Sequence, residues 1–433
     1  MPKNRTTTSI LSASIAAVIA CIYAKSGKWI SWDRSGGDTI FTLSLVDRQN
    51  LLNHNRYRAE NNATSNKLAL LPDGVSEMFH REGYVVMRGL LESEMLKELT
   101  LATEGHVVKD PQPKFLFHSM KQRPLFSLAS NDEDFSKLEG FHAVSLQSAI
   151  PSVVAELMGL DPAKDNLRVV KDVFLAKGKE ERSCGWHVDD FYFWPIVAST
   201  YSNKSVTAAP SPGINVWIAL DDMPAKYGGS MAVSPGSHDA PWKNDAYEVI
   251  GSSTLFPEEG YKNVEDMVEG KIASTCDLEK AAPSLGKTID ATSKVFDFRK
   301  GDIIFTTRWL FHKSIPLNDD GVAYLENQGK EPVLKRYTIR YESGEAILPK
   351  GYSLEESILA NPENAGRTLD DVAKFDGRPW YPKAWPSVDE EEINKLSDHI
   401  SKTLPPVLQR VQDGGKEFFK AIFPLLQKYK DQQ

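Results

Sequence analysis

A histidine and an aspartate interrupt an aromatic stretch of the chain, WHVDDFYFWP at residues 186–195. His187 and Asp189 are separated by one residue, and alternate side chains of a β-strand project from the same face. The two side chains can therefore reach one point. Burying such polar groups requires a compensating partner, and a metal ion is one such partner. An exposed strand end would also accept this pair, so the spacing alone leaves both interpretations open.

A third candidate ligand and two cations follow downstream. His312 lies near the end of the apolar stretch GDIIFTTRWLFHKS, and KRYTIRY carries Arg336 and Arg340 on one face of a later strand. Two imidazoles and one carboxylate form the facial triad preferred by non-haem Fe(II), which leaves open coordination positions. A bidentate 2-oxo acid would fill two of them and O2 another. A dicarboxylate co-substrate would also need a guanidinium, which binds a carboxylate through two parallel hydrogen bonds.

The elements that must position these residues are mostly short strands. Between residues 165 and 345, short apolar segments alternate with turns that contain glycine and proline. This pattern of short apolar segments and turns is typical of an antiparallel sandwich or jelly roll rather than of a βαβ array. Residues 239–292 are the exception, since they are long for a connection, and we predict an insertion or lid there. Residues 198–213 are a second candidate lid.

Helical patterns flank the β-rich region on both sides. Before it, the pattern predicts a helix ending ahead of Gly83, a strand at residues 84–87, a helix carrying Leu96 and Leu99, and another near residues 145–160. After it, a capping box at Ser387 opens an apolar helix that is expected to pack against the barrel, or else to bind a partner or a membrane surface. The predicted fold class is mainly β with flanking helices (α+β).

Composition excludes some functions. The chain has 433 residues, a formal net charge of −8 and three cysteines. Phosphate binding needs clustered lysine and arginine, and the sequence contains no such cluster, so nucleic acid is not an expected partner. Three cysteines do not make a disulfide framework, and we expect them to be unpaired small hydrophobic residues. The expected partner is a small-molecule substrate.

An uncharged segment, TTTSILSASIAAVIACIYA, occupies residues 6–24. It nearly reaches the length that crosses a bilayer core, but its densely apolar part is shorter and also fits a signal peptide. We therefore predict a signal peptide or signal anchor at residues 1–28, with possible membrane attachment and an endomembrane or secretory location. A disordered or amphipathic leader is the alternative. Residues 29–70 are predicted to be a polar linker.

Taken together, the motifs resemble those of the phytanoyl-CoA dioxygenase family of Fe(II)/2-oxoglutarate-dependent oxygenases. The resemblance covers residues 73–346 and rests on four stretches: FHREGYVVMRGLL, WHVDDFYFWP, VWIALDDMPAKYGGSMAVSPGSH, and HKSIPLN with KRYTIRY. It implies a double-stranded β-helix, a cupin-like jelly roll, within a dioxygenase domain at residues 71–346. A C-terminal helical extension at residues 347–433 would follow. It also implies Fe(II) as cofactor, with 2-oxoglutarate and O2 as co-substrates of a hydroxylation.

The resemblance further implies roles for individual residues. The implied iron ligands are His187, Asp189 and His312. The implied 2-oxoglutarate residues are Ser314, Trp217, and Arg336 or Arg340, with Arg336 favoured. The carboxylate of Asp189 implies hydroxylation, because related halogenating enzymes carry a small residue there. His238, in the PGSH stretch, is expected to stabilise a turn, and residues 191–194 are expected to form an apolar wall beside the iron.

Two other functions also fit these patterns. A jelly-roll protein could bind a ligand or partner without turnover, which the long helical C-terminal segment would suit. A cupin-type metal enzyme could act without 2-oxoglutarate, and such an enzyme would not require Arg336 or Ser314.

Overall fold

The computed structural model describes residues 40–42, 71–72, 74–109, 121–124, 143–179, 185–188, 213–243, 278–346, 367–371 and 382–386. Five predictions lie outside these ranges: the leader at residues 6–24, the metal ligand Asp189, the aromatic wall at residues 191–194, the lid at residues 198–213 except for Gly213, and the C-terminal helices from residue 387. No helix within the described ranges is long and apolar enough to cross a membrane. The proposed domain boundaries and the endomembrane location therefore stay predictions.

The elements follow one another in this order. The strands are β1 (Ile40–Thr42), β2 (Tyr84–Arg88), β3 (Lys121–Pro124), β4 (Leu167–Gly178), β5 (Ile214–Ala219), β6 (Met231–Val233), β7 (Lys294–Val295), β8 (Ile303–Thr307), β9 (His312–Ser314), β10 (Val333–Ser343) and β11 (Lys383–Trp385). The helices are α1 (Val75–Glu82), α2 (Ser93–Lys109), α3 (Ile150–Leu157), α4 (Leu278–Ala281), α5 (Pro283–Ala291) and α6 (Asp319–Asn327). A π-helical turn occupies Ala143–Gln147, and 3-10 turns occupy Ala225–Tyr227 and Ser237–Asp239.

Two sheets form the centre of the fold. The larger sheet has the strand order β1-β2-β8-β5-β10-β4-β11, with β3 also paired to β4. The smaller sheet has the order β7-β6-β9, and an antiparallel bridge between His187 and His312 adds residue 187 beside β9. Along the chain, β4, β5, β8 and β10 join the larger sheet, whereas residue 187, β6, β7 and β9 join the smaller one. This winding between two sheets is a double-stranded β-helix, so the predicted jelly roll is confirmed.

The two faces of the larger sheet belong to two different hydrophobic clusters. Because side chains alternate along a strand, one face can pack against helices while the other faces the smaller sheet. The outer cluster joins the sheet to α1 and α3 and includes Val75, Phe79, Val85, Met87, Val153, Phe305 and Ile339. The inner cluster joins the two sheets and includes Val86, Trp217, Met231, Val233, Phe296, Phe298 and Ile304. The space between the sheets is therefore a packed core that can enclose a site.

The helices before the barrel follow the predicted order. α1 ends at Glu82, and Gly83 has φ 80°, a left-handed conformation that favours glycine. The backbone N–H of Gly83 donates a hydrogen bond to the carbonyl of Phe79 at 2.7 Å. A Cβ on Gly83 would lie 2.5 Å from Nδ1 of His238, so close approach also requires glycine here. β2 then begins at once and enters the larger sheet beside β8.

The segment predicted as an insertion or lid is described at its two ends. Residues 278–291 form α4 and α5, which pack behind the smaller sheet. The cluster there contains Trp186, Val188, Ala232, Leu278, Ile289, Trp309 and Phe311. Because these residues lie on the outer face of the smaller sheet, the described end of the segment is a supporting layer. The insertion or lid at residues 239–292 stays a prediction.

His238 has the turn-stabilising role predicted for it. It lies in the 3-10 turn Ser237–Asp239, and its Nε2 lies 3.0 Å from the carbonyl oxygen of His80 in α1. Because a carbonyl can only accept, Nε2 is the protonated nitrogen and donates this hydrogen bond. The turn after β6 is thereby tied to α1. Burial lowers the pKa of His238, and the backbone hydrogen bond offsets this only partly.

We expect the free energy of unfolding to fall as the pH drops below 6.5, the ordinary pKa of a histidine. Because the folded pKa of His238 is lowered, the unfolded chain takes up this proton first and acid favours unfolding. The contribution is fully present above pH 6.5 and is lost as the pH falls toward the folded pKa. Urea unfolding between about pH 5 and 8 should therefore show a shallower pH dependence for His238→Gln than for the wild type. Equal slopes would contradict this assignment.

Candidate active site

The fold brings together two residues that are far apart in the sequence, His187 and His312. The backbone N–H of each donates to the carbonyl of the other at 3.0 Å, so the two residues are directly opposite in an antiparallel pair. Their ring centroids are 4.2 Å apart. Both are buried, with 7% of His187 and 8% of His312 exposed. Since directly paired residues share a face of the sheet, both imidazoles project to the same side.

That side is the interior of the barrel. His312 is in register with Val233, and Ser314 is in register with Met231. Val233 and Met231 belong to the inner cluster between the sheets. Both histidines and Ser314 therefore lie on the inner wall of the smaller sheet.

The hydrogen bonds of the rings indicate which nitrogen can bind a metal. Nδ1 of His187 is 2.7 Å from the carbonyl oxygen of Gly185, and Nδ1 of His312 is 3.0 Å from that of Leu310. A carbonyl oxygen only accepts, so each Nδ1 carries a proton, and in the neutral ring Nε2 has the lone pair that a metal can take. Metal-binding histidines are commonly oriented by such a bond from the other ring nitrogen. The two imidazoles fit a divalent transition metal.

The third predicted ligand, Asp189, lies outside the described residues. Within the described part of the chain, no group of three or more histidine, cysteine, aspartate or glutamate side chains could hold a metal ion. The structure therefore brings together two of the three predicted ligands. Asp189 is two residues after His187, the spacing that returns a strand to the same face.

Arg336 reaches across the barrel from the larger sheet. It lies in β10 with 2% of its surface exposed, and its Nη1 donates to the carbonyl of Gly229 at 3.1 Å. Gly229 in turn donates its N–H to Ile315, the residue after Ser314, at 2.9 Å. The guanidinium is therefore near the end of β9, where Ser314 lies. A buried guanidinium at this position can bind a carboxylate through two parallel hydrogen bonds.

Arg340 shares the inner face of β10 but lies further along the strand. Arg336 is in register with Ala219 on β5, whereas Arg340 is in register with Asn215. Four strand residues span about 13 Å, so Arg336 and Arg340 start from positions about 13 Å apart along the barrel wall. The contact of Arg336 with Gly229 places it at the Ser314 end and favours it as the carboxylate-binding arginine.

Trp217 also lies on the inner face, between the arginine and the apolar core. It is in register with Thr338 of β10 and with Ile304 of β8, and 5% of it is exposed. Its ring centroid is 4.7 Å from that of Phe298 and 5.9 Å from Cζ of Arg336. The ring therefore forms a cation–π contact that steadies the guanidinium.

Two glycines that were not predicted as functional shape this region. Gly228 has φ 75° and ψ −159°, a backbone conformation open essentially to glycine alone. A Cβ on Gly228 would lie 1.9 Å from the carbonyl oxygen of Pro316, and one on Gly229 would lie 2.1 Å from Cδ1 of Leu334. The segment before β6 can therefore approach both the segment after β9 and β10. The sequence signal is the Gly-Gly pair itself, but its reason appears only when the strands are paired.

Alanine at Gly228 is expected to lower the free energy of unfolding by about 2 kcal/mol or more, because it adds both backbone strain and a clash. Gly329 is a matched control, since it also has a positive φ (68°) but a Cβ there would meet nothing within 4 Å. Gly329→Ala should lose only about 1 kcal/mol. Urea unfolding measures the free energy of unfolding of both variants. Equal losses would show that the close approach at Gly228 does not add to the cost of the alanine.

The two facing sheets enclose the paired histidines of the smaller sheet and the buried Arg336 of β10. The family model for phytanoyl-CoA dioxygenase (PhyH) matches residues 79–320, more than half of the chain, and the protein belongs to this family. As a member of this family it is a 2-oxoglutarate-dependent dioxygenase, with Fe(II) as cofactor and 2-oxoglutarate and O2 as co-substrates.

Comparison with solved structures gives distant matches to the chain. One is the non-heme alpha ketoglutarate dependent epimerase SnoN from nogalamycin biosynthesis, with 16% identity, coverage of 72% of this chain and 96% of that chain, and a TM-score of 0.45. Another is the carbocyclase SnoK from the same biosynthesis, with 16% identity, coverage of 71% and 94%, and a TM-score of 0.42. EctD from S. alaskensis, with 2-oxoglutarate and 5-hydroxyectoine, has 15% identity, coverage of 70% and 86%, and a TM-score of 0.41. No curated protein matches the chain.

Proposed function

We propose that this enzyme hydroxylates a small organic substrate and couples that oxidation to the conversion of 2-oxoglutarate and O2 into succinate and CO2. His187, Asp189 and His312 are the proposed iron ligands. The observation that carries the proposal is the hydrogen-bonded pairing of His187 with His312, whose ring centroids are 4.2 Å apart on the inner wall. Two imidazoles and one carboxylate are the ligand set of Fe(II) oxygenases.

Each protein group has a defined task in this proposal. The Nδ1–H bonds to the carbonyls of Gly185 and Leu310 hold the two rings in orientation and keep each Nε2 available as a lone-pair donor. When bound, Fe(II) supplies the activation of O2 that drives decarboxylation of 2-oxoglutarate and oxidation of the substrate. The packed inner cluster excludes water from the reaction, and exclusion of water limits side reactions.

Arg336 is the proposed anchor for 2-oxoglutarate. Its burial strengthens a charge-assisted pair with the distal carboxylate, and its planar fork fixes the direction of that carboxylate. The contacts with Gly229 and Trp217 hold the side chain in one position. Ser314, on the same inner wall, is proposed to donate its hydroxyl to the same carboxylate.

Hydroxylation is the proposed outcome because Asp189 supplies a carboxylate at the third ligand position. In the related halogenating enzymes a small residue stands there and opens a site for chloride. A filled position leaves coordination sites for the 2-oxo acid and for O2. The transfer of oxygen is then the chemistry that the ligand set favours.

The proposal is tested by turnover without a known substrate. The full-length chain is loaded anaerobically with Fe(II) and 2-oxoglutarate, exposed to O2, and assayed for succinate with and without a pool of small organic molecules. Slow succinate formation that the pool accelerates supports the proposal. Iron binding with no succinate under any condition would contradict it and would favour a ligand-binding barrel or a cupin-type enzyme that does not use 2-oxoglutarate.

A further inference from the structure

A polar cluster behind the smaller sheet joins the two strand segments that carry the histidines. Because His187 and His312 are directly opposite, their neighbours Trp186 and Lys313 also face each other, but on the outer face. Nζ of Lys313 lies 4.6 Å from the ring centroid of Trp186, which is fully buried. This cation–π contact covers the back of the histidine pair.

Asp290 of α5 connects the two neighbours. Its Oδ1 accepts a hydrogen bond from the indole Nε1–H of Trp186 at 2.9 Å and pairs with Nζ of Lys313 at 2.5 Å. One carboxylate oxygen therefore joins the residue before His187 to the residue after His312. The hydrogen bond from Lys313 is the largest influence on Asp290 and lowers the pKa of its carboxyl group.

Glu279 of α4 supports the same segment from a second direction. Both of its carboxylate oxygens lie 3.2 Å from the backbone nitrogen of Trp186. The strand segments themselves are short: β9 has three residues, and residue 187 enters the sheet through a single isolated bridge. Few ladder hydrogen bonds within the described residues thus fix the histidine pair, and the carboxylates of α4 and α5 add to them.

We propose that Asp290 is a positioning residue for the metal centre, acting through Trp186 and Lys313 on His187 and His312. The inference rests on the proposed function, because it assumes that this histidine pair binds the metal. A metal site depends on ligand positions held to within about 0.5 Å, so a contact that fixes both strand segments at once affects metal affinity. Groups behind metal-binding histidines typically change metal affinity about 10- to 100-fold.

The test measures Co(II) binding by the full-length protein, followed anaerobically through the visible ligand-field bands of the metal. Asp290→Asn keeps the shape of the side chain but removes its charge, and Trp186→Phe keeps a ring beneath Lys313 but removes the indole N–H. Each variant should weaken Co(II) binding about tenfold and shift the ligand-field bands. The double variant should lose less than the sum of the two, because both changes break the same link.

Asp302→Asn is the matched control. Asp302, immediately before β8, also forms an ion pair, with Nε of Arg88 in β2 at 3.0 Å. This pair belongs to the larger sheet, whereas Trp186 and Lys313 flank the histidines of the smaller sheet. The Asp302→Asn variant should have a lower thermal unfolding midpoint but a Co(II) affinity within about twofold of the wild type. This result would separate an effect on stability from an effect on ligand position.

Three results overturn the inference. If Asp290→Asn and Trp186→Phe retain the wild-type affinity and spectrum while His187→Ala loses Co(II) binding, the inference fails and the proposed function stands. If Asp302→Asn weakens Co(II) binding as much as Asp290→Asn, the effect is one of stability and the inference fails. If the wild type binds no Co(II), or if His187→Ala binds it unchanged, the proposed function fails and this inference fails with it.

Discussion

Alanine in place of His187 is expected to abolish 2-oxoglutarate-dependent succinate formation, with a loss of at least about 1000-fold. Bound metal contributes several kcal/mol to such reactions, and each 1.4 kcal/mol or so is tenfold in rate. The rings of His187 and His312 lie 4.2 Å apart. The substitution removes one of these two proposed metal ligands. Succinate formation by the purified variant, with Fe(II) added in excess, is the measurement.

The matched control for this substitution is His238→Gln. His238 also hydrogen-bonds to a backbone carbonyl, but it lies in the turn after β6 and contacts α1 rather than the inner wall. At pH 7.5 or so, above the range in which its titration affects stability, the control should form succinate at the wild-type rate. If His187→Ala retained more than a few per cent of the wild-type rate while binding iron, His187 would not be a ligand.

Arg336→Ala is expected to raise the 2-oxoglutarate concentration needed for half-maximal rate by about 100-fold. Truncating one partner of a buried, hydrogen-bonded charge pair costs about 2–5 kcal/mol. The Fe(II) requirement should change by less than about threefold, because the arginine acts on the far carboxylate rather than on the metal ligands. Titrations of succinate formation against each of the two components give both values.

Two further variants identify the arginine. Arg336→Lys keeps the charge but loses the planar fork, so its 2-oxoglutarate requirement should lie between those of the wild type and Arg336→Ala. Arg340→Ala is the matched control, because it removes a second buried guanidinium from the same face of β10. If Arg340→Ala raised the 2-oxoglutarate requirement and Arg336→Ala did not, the assignment of the two residues would be reversed.

The same-face relation of Arg336 and Arg340 was predictable because it follows from the two-residue period of a strand. The pairing of His187 with His312 was not, since it depends on the register of two segments that are distant in the chain. The choice between the arginines also needed register. The contact of Arg336 with Gly229, in the segment before β6, places its guanidinium near Ile315, the residue after Ser314.

The insertion illustrates a different limit. Its length suggested an insertion or a lid, and at its described end Leu278 and Ile289 pack behind the smaller sheet, while Asp290 contacts residues beside both histidines. A charged residue in a helix gives no indication of its partner until the helix is docked. Family similarity has a comparable limit, because the match ends at residue 320 whereas β10, which carries Arg336, lies beyond it and pairs with β5 and β4 inside the same sheet.

The central claim is that His187, Asp189 and His312 hold one metal ion beside Arg336. Its most direct test is a crystal structure of the protein with Fe(II) and 2-oxoglutarate, prepared anaerobically, with the metal located by anomalous scattering at the iron edge. The claim predicts a single peak about 2.1 Å from Nε2 of both histidines, with the distal carboxylate of 2-oxoglutarate on the guanidinium of Arg336. A peak bound to other residues, or a 2-oxoglutarate that lies away from Arg336, would contradict it.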